Sequence, residues 1–439
     1  MVTEAELAAF HQVVGKLRAL PEDDPVRLRA EQVAASFARD GRLRRRRARG
    51  AQASAADAAA MAATATGALD RREDAPLGEA GAEGVFRKPR TCYVCKSPYR
   101  QVDSFYHRLC PRCAADNTAR RALSTDLTGR RVLLTGGRVK IGFQLALMML
   151  RDGAEVLVTT RFPHDTMRRF RAAAGSTRRL ERLTVIAVDL RDPRQVLGLC
   201  EDLRRQGRPL DVLVNNAAQT VRRPPESYAL LAAGEADALP HGARQAPGFA
   251  PMRTLPGSAA ALPVLLREAD EAGLLPDPSP QNSWSARLGA LDPAEVLETQ
   301  LVNALAPALL CDGLLPLLLA SPHPRRYVVN VTAVEGRFAV RNKTAGHPHT
   351  NMAKAALNML TRTSAGELAA QGVHMCAVDT GWITDENPAP KKTRMARAGF
   401  RTPLDVVDGA ARVYDPIVRG EAGDPVSGVF LKDYREAAW

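Results

Sequence analysis

The chain of 439 residues lacks long uninterrupted apolar runs. Its longest apolar stretch, residues 308–320, contains Asp312, Gly313 and Pro316, so we expect no segment that spans a bilayer. The first residues are acidic and no apolar run follows them, which does not fit a secretory signal. The sequence therefore predicts a cytoplasmic protein that does not associate with membranes.

Aromatic residues make up only 5% of the chain, and lysine is scarce beside arginine. The net charge of +13 can indicate a nucleic-acid partner. The most concentrated basic run, Arg42 to Arg49, has no interleaved aromatic side chain that could stack on a base. That composition favours a solvated helical face, and the excess of arginine and alanine is typical of GC-rich coding. Nucleic acid is therefore the less favoured partner.

Cysteine is also scarce, and seven residues do not predict a disulfide framework in a chain of this length. Four of them form two Cys-x-x-Cys pairs with fourteen residues between the pairs: Cys92, Cys95, Cys110 and Cys113. Two such turns complete a tetrahedral site of four thiolates, which suits structural zinc and leaves no open position for catalysis. Iron in a rubredoxin-like site, or His107 in place of one cysteine, are the alternatives. Residues 86–123 are thus predicted to form a four-cysteine zinc module.

Two amphipathic helices are predicted before this module. A capping box, Thr3 to Glu6, precedes the first helix, and the second is expected to end at Gly41. We assign residues 1–49 to this helical segment and residues 50–85, rich in alanine and glycine, to a linker with weak helix. The helices are expected to pack on the main domain or on a partner subunit.

Residues 130–142 predict a short buried strand, a turn at Thr135, Gly136 and Gly137, and a helix from Ile141 onward. A strand that leads into a helix through such a turn directs backbone N–H groups and the positive helix end at one place. That arrangement suits a pyrophosphate.

Strands and helices alternate over residues 126–439. Five further segments predict short buried strands: residues 155–160, 183–188, 210–214, 326–331 and 374–378. The alternation predicts an α/β fold with a doubly wound, Rossmann-like parallel sheet, preceded by the helices and the small zinc-ribbon module.

The motifs of this region resemble, in order, those of the short-chain dehydrogenase/reductase superfamily. The matches are Thr135-Gly136 and Ile141-Gly142 (TGxxxGIG cofactor turn), Asp189-Leu190 (adenine contact), Asn215-Asn216-Ala217-Ala218 (NNAG segment), Asn303 (structural and catalytic asparagine), Lys354 (lysine that holds the nicotinamide ribose) and Gly381 (PG segment). The resemblance implies a bound dinucleotide, hydride transfer to or from a carbonyl or alcohol, and a homo-oligomer.

The sequence departs from the family at the proton donor. The family's tyrosine, four residues before the lysine, is replaced by Thr350, whose hydroxyl is a poor acid at neutral pH. The family's serine is replaced by Ala333, next to Thr332. His347 and His349 lie close to the vacant tyrosine position and either act as acid and base or have ordinary packing roles. The catalytic candidates are Asn303, Thr332, His349, Thr350 and Lys354.

Charge favours NADP(H) over NAD as the cofactor. Users of NAD place a carboxylate at the end of the second strand, where this chain has Arg161. Arg138 and Lys140 lie in the cofactor turn nearby, and Lys140 takes the place of the family's middle glycine. Three cations without a carboxylate suit a 2′-phosphate.

Residues 219–291 form an insertion, rich in proline, glycine and alanine, that the family does not require. Because it leaves the carboxyl edge of the sheet, it is expected to form a lid, a dimer contact or a docking surface. Two functions follow from these observations. The chain is an NADP-dependent oxidoreductase, or it is an inactive relative that binds a protein partner through its zinc module and insertion.

Overall fold

The computed structural model describes the chain in seven ranges. These are residues 2–73, 75–78, 81–173, 175–235, 237–252, 269–340 and 342–439. Residues 253–268, within the predicted insertion, lie outside the described ranges.

A nine-stranded sheet forms the centre of the molecule, and a two-stranded antiparallel sheet precedes it. The strands are β1 Gly84–Thr91, β2 Pro98–Val102, β3 Arg131–Leu134, β4 Glu155–Thr160, β5 Leu183–Ala187, β6 Val212–Asn215, β7 Ala243–Gln245, β8 Arg326–Thr332, β9 Val373–Asp379, β10 Phe430–Lys432 and β11 Arg435–Ala437. The order across the large sheet is β11-β10-β9-β8-β6-β3-β4-β5-β7. Every pair is parallel except β10 with β11, which confirms the predicted Rossmann-like sheet. The insertion contributes β7 at one edge.

Helices precede the sheet and cover its faces. They are α1 Glu4–Arg18, α2 Pro25–Ala62, α3 Pro111–Arg121, α4 Lys140–Arg151, α5 Pro163–Ala172, α6 Ser176–Leu180, α7 Pro193–Arg205, α8 Ala229–Gly234, α9 Pro293–Gln300, α10 Ala306–Leu319, α11 Pro348–Ala370, α12 Ala389–Arg397 and α13 Val406–Glu421. A π-helical turn, Leu301–Leu305, joins α9 to α10.

Successive side chains of each strand enter two different cores, because neighbouring strand residues point to opposite faces. Val132 and Leu134 pack with α4 and α13 on one face, whereas Leu133 packs with α7 and α10 on the other. Both faces are buried, which explains why the strands are apolar runs rather than alternating sequences.

The continuous helix Pro293–Leu319 is long and apolar enough to cross a membrane by length and composition alone, with a mean hydropathy of 1.8. Half of that apolar window is buried, and Leu310, Leu314 and Leu318 lie in the core beneath the sheet. Its hydropathy is therefore that of a helix packed in a protein core.

The second N-terminal helix is longer than predicted. The capping box at Thr3 is present, but α2 continues through Gly41 and ends at Ala62, so that the boundary assigned at residue 50 falls inside it. A helical glycine costs about 1 kcal/mol relative to alanine, and the surrounding arginine and alanine residues are strong helix formers that offset this cost.

The Cys-rich segment, residues 84–121, packs on the C-terminal part of the main domain. A hydrogen bond and ion pairs hold it there. Tyr106 donates a 2.6 Å hydrogen bond to Asp408. Arg121 contacts Asp405 at 2.6 Å and Asp408 at 3.1 Å. A shared apolar cluster contains Phe86, Leu109 and Tyr106 of the segment and Ile383, Leu404 and Val406 of the main domain. The segment is thus fixed beside the region that follows β9.

Candidate cofactor and metal sites

A cavity of about 830 Å³ opens at the carboxyl ends of the parallel strands. Its walls come from the segments after β3, β4, β5, β6, β8 and β9, from the insertion and from the Cys-rich segment. Open α/β sheets bind ligands in a crevice at this edge, and the volume lies in the range of small-molecule sites.

The turn after β3 leaves room only for glycine. Gly136 has φ +70°, and a Cβ there would lie 2.9 Å from Ala217 Cα. A Cβ on Gly142 would lie 2.2 Å from the Gly136 carbonyl oxygen. Asn216 Nδ2 donates hydrogen bonds to the carbonyls of Thr135 and Gly136 at 3.0 and 3.1 Å. The turn is therefore held in a fixed shape beside the cavity.

The helix that follows the turn begins without a side-chain cap among the described residues. Lys140, at the position of the family's middle glycine, has φ +54°, the left-handed conformation that glycine adopts without strain. Backbone N–H groups at an uncapped helix start attract anions. The turn and the start of α4 thus fit a pyrophosphate.

The two arginines assigned to a 2′-phosphate have different surroundings. Arg138 is buried, contacts Asp165 at 2.7 Å and donates to the Ala272 carbonyl at 2.6 Å. Arg161 lines the cavity, and its guanidinium lies 5.1 Å from the Tyr228 ring. The charge of Arg138 is therefore matched by a carboxylate, and Arg161 is the better placed of the two.

Most of the predicted cofactor-binding residues line the cavity, and two of them do not. Those that line the cavity are Gly136, Arg138, Lys140, Ile141, Gly142, Arg161, Asp189, Leu190, Asn216, Ala217, Lys354 and Gly381. Thr135 and Gly137 belong to the turn but are not among the described residues that line the cavity. The Thr135 hydroxyl accepts from the N–H groups of Asn216 and Ala217, both at 3.0 Å. Asp189 is paired with Arg191 at 2.6 Å.

Lys354 also lines the cavity and is buried. Its ammonium donates a 2.9 Å hydrogen bond to the Val331 carbonyl. Burial lowers the pKa of Lys354 to about 8, and the nearby carboxylate of Glu335 opposes this shift. Thr350, one helical turn earlier, also lines the cavity, and its buried hydroxyl has no hydrogen-bond partner among the described residues.

Asn303 and Thr332 have backbone partners. The Asn303 amide exchanges two hydrogen bonds with the backbone of Gln219, at 2.7 and 2.9 Å, and so fixes the start of the insertion. Thr332 lines the cavity, and its hydroxyl donates to the Lys354 carbonyl at 3.4 Å.

Two family models and several known proteins match parts of this chain. Residues 130–232 match the family model described as short chain dehydrogenase, and residues 279–403 match that described as enoyl-(acyl carrier protein) reductase. An uncharacterized protein of Acanthamoeba polyphaga mimivirus is 31% identical over 347 residues, which are 75% of this chain and 71% of that protein. The C-signal protein of Myxococcus xanthus is 32% identical over 146 residues, 33% of this chain and 80% of the relative.

The chain belongs to the short-chain dehydrogenase/reductase superfamily. Among solved structures, a short chain dehydrogenase from Burkholderia cenocepacia in complex with NADP is similar with a TM-score of 0.47 and 22% identity, over 70% of this chain and 97% of that one.

In this superfamily member the two histidines near the vacant tyrosine position turn away from the cavity. The described residues that line it include Thr350 and Lys354 but neither histidine. His349 is fully buried, with Nε2 3.5 Å from a carboxylate oxygen of Glu295 in α9. His347 stacks on Trp284 with ring centroids 3.8 Å apart. The proposed acid–base role of His349 has no support from this arrangement.

Several charged and polar residues that no sequence motif indicated also line the cavity. They are Tyr93, Lys96, Glu335, Asp379, Asp385 and Lys432. Burial raises the pKa of Glu335. Its position follows directly from the family resemblance, because it lies two residues after Ala333, the vacant serine position.

Four sulfur atoms meet at the predicted metal site. The thiols of Cys92, Cys95, Cys110 and Cys113 all lie within 4.8 Å of one another. The Cys95 and Cys110 sulfurs are 3.7 Å apart. Tetrahedral zinc with Zn–S bonds of about 2.3 Å separates its sulfurs by about 3.8 Å. The four residues therefore fit the metal, whereas His107 bonds Thr66 through Nδ1 at 2.8 Å and is not part of the cluster.

The buried ammonium of Lys354 leads to a stability prediction. We expect Lys354→Met to raise the free energy of unfolding at pH 7 by about 1–3 kcal/mol, because the variant no longer buries a charge. This gain exceeds the loss of the hydrogen bond to the Val331 carbonyl. Between pH 8 and 10.5 the native wild type releases this proton while the unfolded chain keeps it, so wild-type stability rises with pH and the gain from the substitution shrinks.

Urea unfolding at pH 7 and pH 10 measures this difference. Lys391→Met is the control, because Lys391 is exposed on α12. An equal pH dependence in the two variants would contradict the expected cost of burying Lys354.

Proposed function

We propose that the chain is an NADP(H)-dependent oxidoreductase that acts on a carbonyl or alcohol. The observation that carries this proposal is one cavity lined both by the glycine turn that leads into α4 and by Lys354. A bound nicotinamide supplies or accepts the hydride. Lys354 would hold the ribose and Thr350 would direct its hydroxyl at the substrate, while Asn303 fixes the start of the insertion beside the cavity.

NADP(H) is preferred to NAD because the residue after β4 is Arg161 rather than a carboxylate. A guanidinium forms two strong, parallel hydrogen bonds with a phosphate. It cannot accept hydrogen bonds from the ribose hydroxyls, as the carboxylate of an NAD site does. Arg161 is the principal candidate for this contact, because the Arg138 guanidinium already contacts Asp165.

We also propose that the four-cysteine cluster holds a structural zinc ion. Ser97 donates to the sulfur of Cys95 and lowers the pKa of that thiol to about 6, so one ligand is a thiolate at neutral pH. Four reduced thiols require a reducing compartment, which supports a cytoplasmic location.

A homo-oligomer or a protein partner is part of the proposal as well. Phe10, Val33 and Phe37 on α1 and α2 are 60%, 66% and 79% exposed, and such apolar side chains are expected at a contact. Light scattering during gel filtration measures the assembly state.

The second candidate function is a cofactor-binding partner protein without turnover. It is favoured by Thr350 and Ala333, which replace the family's tyrosine and serine. Both candidates require a dinucleotide, and they differ in whether the bound NADPH is consumed when carbonyl compounds are added.

Thermal unfolding with NADPH, NADP, NADH and NAD tests the cofactor. A ligand that binds only the native state raises the Tm by mass action. We expect the largest rise with NADPH, and Arg161→Ala should weaken NADPH binding about tenfold while leaving NADH binding unchanged, because only NADPH carries the 2′-phosphate.

Arg178→Ala is the matched control, since Arg178 is an exposed arginine outside the cavity. No rise in Tm with any dinucleotide would overturn both candidate functions. A rise of equal size with NADPH and NADH would overturn the choice of NADP(H).

A further inference from the structure

The metal-binding turn Cys92–Cys95 forms part of the cofactor cavity wall. Tyr93, between these two cysteines, and Lys96, just after them, both line the cavity. The Tyr93 hydroxyl accepts a 3.0 Å hydrogen bond from the backbone N–H of Trp382. The side chain thus reaches from the thiolate cluster to the segment that follows β9.

The metal-binding turns fix the backbone of Tyr93. Its N–H donates to the Arg108 carbonyl at 2.8 Å, and Arg108 lies two residues before Cys110. The Cys110 N–H donates to the Cys92 sulfur at 3.3 Å. Tyr93 is therefore held between the two halves of the four-cysteine site, and a metal that joins all four thiolates locks these halves together.

The segment that Tyr93 contacts is itself a cavity wall. Residues 379–385 line the cavity, and Gly381 within them has φ +81°. A Cβ on Gly381 would lie 3.6 Å from the Tyr93 hydroxyl. On the far side, Ile383 packs in the apolar cluster of the Cys-rich segment. The Cys-rich segment thus supports this wall through a hydrogen bond and through an apolar contact.

We propose that metal bound at the four-cysteine site and dinucleotide bound in the cavity are positively coupled, with Tyr93 as the positioning residue that connects them. The metal fixes Tyr93, and Tyr93 holds Gly381 and Trp382 in the conformation that lines the cavity. This inference rests on the proposed function. Coupling between the affinities of two sites is reciprocal, so the dinucleotide must also raise the affinity for the metal by the same factor.

The test measures NADPH affinity and metal content together. The Kd for NADPH is measured by fluorescence titration on the zinc-loaded protein, on the chelator-treated protein and on zinc-loaded Tyr93→Ala. We expect Kd to rise about 5- to 100-fold after chelation and in Tyr93→Ala, which is the usual range of coupling between sites. NADPH should raise the zinc affinity, measured by equilibrium competition with a chromogenic chelator, by the same factor in the wild type and not in Tyr93→Ala.

Tyr99→Phe is the matched control. The Tyr99 hydroxyl donates to the His107 carbonyl at 2.7 Å inside the Cys-rich segment, and Tyr99 is not among the described residues that line the cavity. This variant should retain the wild-type Kd. Tyr93 itself lines the cavity, so a raised Kd in Tyr93→Ala alone could reflect a lost contact with NADPH. Tyr93→Ala keeps all four thiolates, and the loss of the NADPH effect on zinc affinity in this variant is the result that identifies Tyr93 as the connection.

The possible failures are distinguishable. If the zinc-loaded wild type binds no NADPH, the proposed function fails and the inference fails with it. If NADPH binds and its Kd is the same in Tyr93→Ala as in Tyr99→Phe, only the inference is overturned.

Discussion

Gly142→Ala should weaken NADPH binding by about a hundredfold and lower the free energy of unfolding by about 3 kcal/mol. A Cβ at this position would lie 2.2 Å from the Gly136 carbonyl oxygen and 2.6 Å from Asn216 Nδ2. Gly136 belongs to the turn after β3, and Asn216 holds that turn through two hydrogen bonds, so the helix α4 must move away from it. The backbone N–H groups at the start of α4 would then no longer face the pyrophosphate.

Gly366→Ala is the control for this substitution. Gly366 lies inside α11, and a Cβ there would meet nothing within 4 Å. It should stabilise the protein by about 0.5–1 kcal/mol, because alanine is the better helix former. Urea unfolding and NADPH titration measure both variants. Wild-type NADPH affinity in Gly142→Ala would show that the turn does not bind the cofactor.

Arg121→Ala should destabilise the protein by about 3–5 kcal/mol, because removing one partner leaves buried charge without compensation. Arg121 bonds Asp405 and Asp408, and both carboxylates are fully buried. The pKa of Asp408 is already raised by burial and by Asp405. Without the guanidinium it should rise further.

The pH dependence follows from that shift. The native variant would bind more protons than the unfolded chain between pH 3.8 and the raised pKa of Asp408, so the stability lost by Arg121→Ala should be smaller at pH 5 than at pH 7. The control is Arg194→Ala, because the Arg194 side chain is 90% exposed and its removal should leave the stability nearly unchanged. Unfolding in urea at both pH values measures the pair, and equal losses for the two variants would contradict the prediction.

The strands and the cofactor turn could be predicted because their signals are local. The apolar runs of β3, β4 and β8 occur where expected, and Gly136 and Gly142 meet close backbone neighbours. The Cys-x-x-Cys spacing likewise brought four thiols together. The sequence signal for each strand, for the glycine turn and for each Cys-x-x-Cys pair depends on residues a few positions apart.

The side-chain partners could not be predicted, because they depend on tertiary packing. Thr350 and Lys354 share a helix face at a spacing of four, whereas His349 is one residue away and is rotated by about 100° toward α9. Arg138 meets Asp165 of α5 across the turn. No local pattern indicates either contact. None indicates that Tyr93, between Cys92 and Cys95, lines the cavity.

The strand order has a consequence for the nascent chain. The chain forms strands β3 to β6 one after another, but one edge of β6 pairs only with β8. In that pair Val212 lies opposite Tyr327, which is 115 residues later (327 minus 212). At a synthesis rate of roughly 5–20 residues per second, β8 leaves the ribosome on the order of ten seconds after β6. During that interval the Val-Leu-Val edge of β6 is an open template for pairing with other chains. We expect aggregation during synthesis to begin at this edge, and chaperones that cover it to raise the yield of folded protein.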